Sequence, residues 1–473
     1  MPQAGRRQVG WWRDASREQR RTARFAAVSA VAGLALATGA VTAAGPWDGG
    51  QRKAERDLAA AGARPGGARH ADGERAPGAA PPVLASLKNA GKRPADHLAE
   101  ALDPLLKDSA LGSDHAAAVV DATTGERLYG VAQSDAYTPA STIKLATAAA
   151  ALSAVGPEHR IETTVMASGG DGVVLVGGGD PTLTAAGLGD LADATARALK
   201  SRGTGRVKVA YDVSRYSGPV LHTIGLNDNI APVSPLMVNE GRLDDSDHGP
   251  ADRTAEPAAD AARKFAALLR EKGVDVDGEP GEGRADGKAA ARLASVASAP
   301  VSALVERMLT NSDNDIAEAL ARQTALASGK PASFEGAAQA VTERLAALGL
   351  PMPAVRVVDG SGLDRADRAS AEFLALLLAR AAEPGRPALR PVLTGLPVAG
   401  FSGTLRDRYP RDAAGRAAVR AKTGTLTGVN TLAGTVVTPE GRLLAFAFLA
   451  SGTTDADAAQ KALDRTASAL AGT

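Results

Sequence analysis

The stretch "ASTIKLATAAAAL" (140–152) sets a serine and a lysine three residues apart, Ser141 and Lys144, at the head of a run of small apolar residues. Lysine is among the side chains least often buried, yet the run otherwise reads as an interior helix. Two readings fit. Either the lysine lays its stem along the helix and keeps its charge in water, or the pair is a nucleophile and its base. Spacing alone does not separate them, because a chain of 473 residues contains about one S-x-x-K by chance. The rest of the chain has to decide.

Composition removes several alternatives. With 54 Lys+Arg against 53 Asp+Glu the net charge is +1, which offers no polyanion-binding surface. Aromatic residues make up 3% of the chain, too few for base-stacking platforms, so no nucleic-acid partner is expected. The absence of cysteine excludes disulfides, thiolate catalysis and cysteine-ligated metals together. The six histidines (His70, His97, His115, His159, His222 and His248) form neither an H-x-x-H nor an H-E-x-x-H pair. They are expected at the surface or in ordinary packing, and neither a metal nor a cofactor is expected. The glycine run "VGGGD" (176–180) lacks G-x-G-x-x-G, and Pro181 and Thr182 after it suggest a turn.

The N-terminus carries export features. Residues 1–24 hold seven arginines against Asp14 and Glu18, residues 25–44 hold no charge, and "VTAAG" (41–45) supplies small residues. Segment 1–44 is therefore read as a signal peptide or a membrane anchor, with 25–44 as the possible attachment. Either route places the remainder outside the cytoplasm, secreted or held at the cell envelope. Residues 45–83 are rich in Gly, Pro, Ala and charge and read as a disordered linker.

Periodicity then organises the chain. Residues 115–130 read as a hairpin turning at Thr123–Gly125, and 142–155 as a helix stopped by Gly156. Strands are expected at 161–168, 172–179 and 207–214, with helices at 185–201 and 255–272, so 160–295 reads as an α+β unit of its own. A helical stretch over 301–327 is interrupted by the polar "TNSDN" (310–314). Residues 420–438 and 442–451 read as successive antiparallel strands, and a final helix sets Leu463, Thr466, Ala467 and Leu470 on one face.

Two further pieces give the first stretch its weight. Ser312-Asp313-Asn314 falls in the polar gap between helices, and Lys422-Thr423-Gly424-Thr425 falls on an expected strand. S-x-x-K, S-D-N and K-T-G in this order form the signature of penicillin-binding proteins and class A β-lactamases. The chemistry asks for these residue types. A serine at a helix N-terminus has an exposed hydroxyl and an unpaired N–H that can face an oxyanion. Lys144 lies one turn on, within reach of that hydroxyl. To act as base it must be neutral, which burial and a second cation such as Lys422 favour. Ser312 is positioned to relay a proton to the leaving amine, and Asn314 to hold a substrate carbonyl. Gly424 is expected to let an acyl chain lie along the strand as an added strand. The Thr425 N–H is the expected second oxyanion donor. Lys422, with the hydroxyls of Thr423 and Thr425, is the expected reader of a terminal carboxylate.

With these motifs in place, the sequence resembles the class C penicillin-binding proteins of the D-alanyl-D-alanine carboxypeptidase/endopeptidase family. The resemblance runs from about residue 84 to 473 and extends to "LVGGGDPTL" (175–183), "VSPLMVNEGRLD" (233–244), "DGSGLDR" (359–365) and "SGTLRDR" (402–408). It implies an α+β fold: a β-lactamase/transpeptidase-like domain, an antiparallel sheet flanked by helices on both faces, with an α+β domain inserted between the S-x-x-K and S-D-N motifs. The parts are then 84–159, the insertion 160–295, and 296–473; 171 residues separate Ser141 from Ser312. It further implies a serine peptidase that trims peptidoglycan stem peptides through an acyl-serine, as a carboxypeptidase or also an endopeptidase, and that β-lactams inhibit covalently. The insertion is shorter than in the fullest family members. A β-lactamase is the alternative, but no E-x-x-x-N lies between Ser141 and Ser312 to hold its deacylation water. A non-catalytic wall scaffold has no need of Ser141, Lys144, Ser312 and Lys422 together.

Overall fold

The computed structural model describes residues 96–285 and 291–472. The expected leader or anchor at 1–44 and the linker at 45–83 lie outside the described residues. Among the described residues no helix is long and apolar enough to cross a membrane. The first elements are helix α1 (Asp96–Leu106) and strands β1 (Asp114–Asp121) and β2 (Arg127–Val131). The two strands pair antiparallel. Their turn is fixed by Asp121, whose carboxylate accepts the Thr123 and Thr124 N–H groups, and by Gly125 at φ +72°, a conformation glycine adopts without steric cost. Helix α2 (Lys144–Val155) follows a 3₁₀ turn (Ala140–Ile143) and stops at Gly156, φ +84°.

The chain then builds a second sheet from β3 (Glu162–Ser168), β4 (Gly172–Val176), β5 (Arg206–Asp212), β6 (Asp275–Val276), β7 (Gly281–Glu282) and β8 (Arg292–Ala297). Helix α3 (Ala185–Ser201) connects β4 to β5, and α4 (Pro257–Glu271) precedes β6. Strand order is β6-β5-β4-β3-β8, with β7 also on β5. The β4–β5 and β5–β6 pairs are parallel, as helical crossovers require. Val165, Leu175, Leu191, Phe265 and Leu269 close a core belonging to this sheet.

Past β8 come α5 (Val301–Asn311), α6 (Asn314–Ala327), α7 (Phe334–Ala347), α8 (Ala371–Ala382), β9 (Val419–Leu426), β10 (Val429–Val437), β11 (Leu443–Ser451) and α9 (Ala456–Leu470). The last three strands join the first two in an antiparallel sheet of order β2-β1-β11-β10-β9. Both faces are covered. The period of two sends Ala116, Ala118 and Val120 of β1, with Ala445, Ala447 and Leu449 of β11, into the core beneath α2 and α8. Ala117, Val119, Phe446 and Phe448 enter the opposite core with Leu463, Ala467 and Leu470 of α9. Helix α2 is buried from Lys144 to Leu152, against α5, α6, α7 and α8. Its alanines have a physical purpose, since small side chains let four neighbouring helices approach one axis.

Candidate active site

The fold brings the three motifs to one cleft of about 340 Å³, with Ser141, Ser312, Asn314, Thr423 and Thr425 in its lining. Ser141 sits in the 3₁₀ turn ahead of α2, directly after Ala140 at φ +47°. Ser312 is itself left-handed at φ +61°, where it ends α5, and the Asp313 carboxylate then caps α6 by accepting the Ile316 N–H. Left-handed backbone at non-glycine residues costs about 1–3 kcal/mol. Here it falls at Ser312 itself and directly before Ser141.

Lys144 is the first residue of α2 and fully buried, because its stem drops beneath the turn that carries Ser141. Its Nζ lies 3.0 Å from Ser141 Oγ, 2.7 Å from Asn314 Oδ1 and 2.5 Å from the Ser361 carbonyl. The last two can only accept hydrogen bonds. The Asn314 amide is held in this sense by Nδ2, which donates to the Asn229 carbonyl at 2.9 Å. Burial pulls Lys144 down to about 8, against the opposing charges of Asp359, Asp313, Glu318 and Asp367. Lys422, also fully buried, is held well below the ordinary lysine range by burial and by Lys144. Its Nζ donates to Ser312 Oγ at 2.8 Å and to the Thr423 carbonyl at 2.7 Å. The site thus holds two hydroxyl–lysine pairs, Ser141–Lys144 and Ser312–Lys422. This arrangement can activate a serine hydroxyl and pass a proton, provided Lys144 is neutral.

Strand β9 is the edge of its sheet and packs against the Ala140–Ile143 turn. Residues 397–399 cover the edge at 419–421, through Ala421 N–H to the Pro397 carbonyl and Ala399 N–H to the Val419 carbonyl. Beyond them the strand reaches the cleft at Thr423 and Thr425. A Cβ on Gly424 would collide with Thr431 Oγ1 and the Pro139 carbonyl, so glycine lets the strand close onto the turn that carries Ser141. The Thr423 hydroxyl donates to Thr404 Oγ1 at 2.8 Å.

Several functional groups escaped the sequence reading. Asp359 and Ser361 belong to "DGSGLDR", quoted above only as a likeness. Their loop carries the carbonyl that holds Lys144. Arg408, in "SGTLRDR", lines the cleft with Thr404 and Gln460, so Lys422 is not the sole cation available there. The Arg408 guanidinium is oriented by two hydrogen bonds to Asp464, at 3.0 and 2.7 Å. Among the histidines expected at the surface or in packing, His222 is buried: its Nε2 lies 2.8 Å from Asp359 Oδ2, and both side chains are 1% exposed. No sequence pattern joins residues 137 positions apart. Two buried trios, His222/Glu318/Asp359 and Glu240/Asp313/Asp315, place possible metal-ligand atoms within 4.8 Å of one another. Each has counter-ions within the protein: His222 on Asp359, and Arg242 and Arg307 on Glu240.

Comparison with known proteins identifies the family. The family model for D-Ala-D-Ala carboxypeptidase 3 (S13) matches residues 98–247 and 244–471. A carboxypeptidase of Mycobacterium tuberculosis is 36% identical over 359 residues, covering 70% of this chain and 75% of the relative. The carboxypeptidase DacB of Mycolicibacterium smegmatis is 38% identical over 356 residues, with the same coverage of both chains. A D-alanyl-D-alanine carboxypeptidase of an Actinomadura species is 30% identical, covering 79% of this chain and 84% of its own. Among solved structures, penicillin-binding protein 4 of Haemophilus influenzae superposes with a TM-score of 0.64 at 21% identity, over 79% of this chain and 98% of that one; it shares the fold. The chain belongs to the D-Ala-D-Ala carboxypeptidase 3 (S13) family of serine peptidases.

Proposed function

We propose that this protein is a D-Ala-D-Ala carboxypeptidase of the cell wall in which Ser141 is acylated by the ends of peptidoglycan stem peptides. The observation that carries this reading is the buried lysine at 3.0 Å from Ser141 Oγ, with two acceptors holding its remaining hydrogens. Neutral Lys144 takes the Ser141 proton as Oγ attacks the penultimate D-Ala carbonyl. The N–H groups of Ser141 and Thr425 meet the developing oxyanion. Ser312, held by Lys422, passes a proton to the leaving D-Ala nitrogen, and water then hydrolyses the ester. The substrate lies along the β9 edge at 422–426 as an added strand, with the second amide hydrogen of Asn314 available to its carbonyl. Such a substrate places the enzyme outside the cytoplasm, carried there or held there by residues 25–44. The same site opens cross-links when the leaving amine belongs to a neighbouring stem.

A β-lactam carries a strained amide that enters the same site. Benzylpenicillin is expected to add one acyl group per chain by intact mass, on the peptide containing Ser141. The acylation rate should rise with pH about a midpoint near 8, the value to which burial brings Lys144, because only its neutral form accepts a proton. Below that midpoint it should fall about tenfold per pH unit. Release of D-alanine from a peptide ending in D-Ala-D-Ala completes the test. A label elsewhere, or no D-alanine, overturns the reading. Rapid penicillin turnover would favour the β-lactamase alternative.

Terminal-carboxylate recognition falls to Thr423, Thr425 and Arg408. Thr423→Val keeps the β-branched shape a strand prefers while removing the hydroxyl. Cleavage of a peptide with a free C-terminus should fall by about 10–100-fold, the value of one hydrogen bond to a charged group. An amidated peptide, already a poor substrate, should lose less. Equal losses in kcat/KM on both peptides would assign Thr423 to strand support through Thr404.

A further inference from the structure

We propose that His222, on the long loop between β5 and α4, is a positioning residue for the Lys144 base. The inference rests on the role of Lys144 proposed above. A neutral lysine amine has two hydrogens and one lone pair. When the hydrogens go to Asn314 Oδ1 and the Ser361 carbonyl, the lone pair is left for the Ser141 hydroxyl. The placement of those two acceptors therefore decides whether Lys144 is aimed at the nucleophile.

Both acceptors are fixed by the β5–α4 loop. One support is the Asn229 carbonyl, which sets the sense of the Asn314 amide. The other runs through Asp359. Its Oδ1 accepts the N–H groups of Ser361 at 3.0 Å and Gly362 at 2.5 Å, and its Oδ2 accepts the Asp364 N–H at 2.8 Å. These bonds wrap residues 359–364 around one carboxylate, with the Ser361 carbonyl directed at Lys144. The loop also abuts the nucleophile: Gly362 is at φ +81°, and a Cβ on it would collide with the Ala140 carbonyl. His222 Nε2 reaches Asp359 Oδ2 from the β5–α4 loop at 2.8 Å, while the other side-chain partners of Asp359, Ser361 and Asp367, come from its own segment between α7 and α8. Its ring packs edge-on against Phe334 with centroids 5.5 Å apart, and Nδ1 accepts the Ile224 N–H at 3.3 Å. Burial disfavours the imidazolium, but Asp359 outweighs it and raises His222 above its ordinary value. In either state Nε2 carries a hydrogen for Asp359.

The charged neighbours give the proposal a sign. Lys144 faces Asp359, Asp313, Glu318, Asp367 and Lys422; His222 faces Asp359, Glu318 and Asp364, with Arg322 compensating Glu318. Burial and the Asp359 charge push Asp367 up, which leaves it protonated beside an ionised Asp359. Removing the His222 donor leaves more of the Asp359 charge to act on Lys144. That favours the ammonium and raises the pH at which the base becomes available. Removing the Asp359 charge does the reverse.

The test uses the full chain and benzylpenicillin, separating pre-acylation binding from the acylation rate constant across pH 5–10. His222→Phe keeps the ring and its contact with Phe334 but donates nothing. It should lower the rate constant by roughly 10–10²-fold, the scale of a small misplacement of a reacting group, leave binding unchanged, and move the rising pH limb upward. His222→Gln restores a donor near the Nε2 position and should recover most of the rate. Asp359→Asn should move the limb downward. Wild-type rate and limb in His222→Phe overturn the proposal. If that variant does not fold, an unmoved limb in Asp359→Asn does so instead. A Lys144→Arg control that acylates normally would indict the assigned base, whatever His222 does.

Discussion

Ser141→Ala is expected to release D-alanine about 10⁶-fold more slowly than the wild type, the scale on which loss of a serine nucleophile acts, and to take up no penicillin label. The substitution removes one oxygen at the mouth of the cleft and leaves the Lys144 bonds to Asn314 and Ser361 in place. The thermal transition should therefore stay within a few degrees of the wild type, so the loss can be read as chemistry. Stopped-flow or long-incubation assays of D-alanine release, with intact mass for the label, check both halves. A variant that still labels would place the nucleophile elsewhere and dissolve the whole assignment.

Lys144→Arg should cost about 10²–10⁴ in acylation, the usual range for a lost general base. Arginine preserves the positive charge but does not deprotonate in the working pH range, so the pH limb near 8 should vanish along with the rate. The larger planar guanidinium also enters a fully buried slot sized for an ammonium group, and a circular-dichroism melt is needed beside the kinetics. Lys144→Met supplies the complementary case, with similar volume and no charge. If both variants acylate at wild-type rates, the lysine is packing for α2 and the proton goes elsewhere.

Chain-local physics made much of this legible in advance. The hairpin at 115–130, the apolar helix ending at Gly156, the helix break at Ser312 and the terminal strands all follow from periodicity and turn residues, and all are present. The proposed site residues could be picked out for a related reason. Ser141 and Lys144 are neighbours on one helical turn, Ser312 and Asn314 flank one helix cap, and 422–425 share one strand, so each short motif is a local geometry. What the motifs did not reveal was why they work together.

Sequence by itself determined the α+β class and most of its elements, because strands and helices repeat with periods of two or 3.6 residues along the chain, and its three short motifs named the candidate side chains. Tertiary structure alone decided which acceptors surround Lys144. Lys144 takes its two acceptors from residues 170 and 217 positions away, one of them a main-chain carbonyl, which any residue type could supply. His222 meets Asp359, and Arg408 turns to the cleft against Asp464, through contacts with no sequence period at all. Burial, too, is a property of the assembled core: it turns two ordinary lysines into amines that lose their protons more readily, because removing water penalises the charged form wherever the fold closes over it.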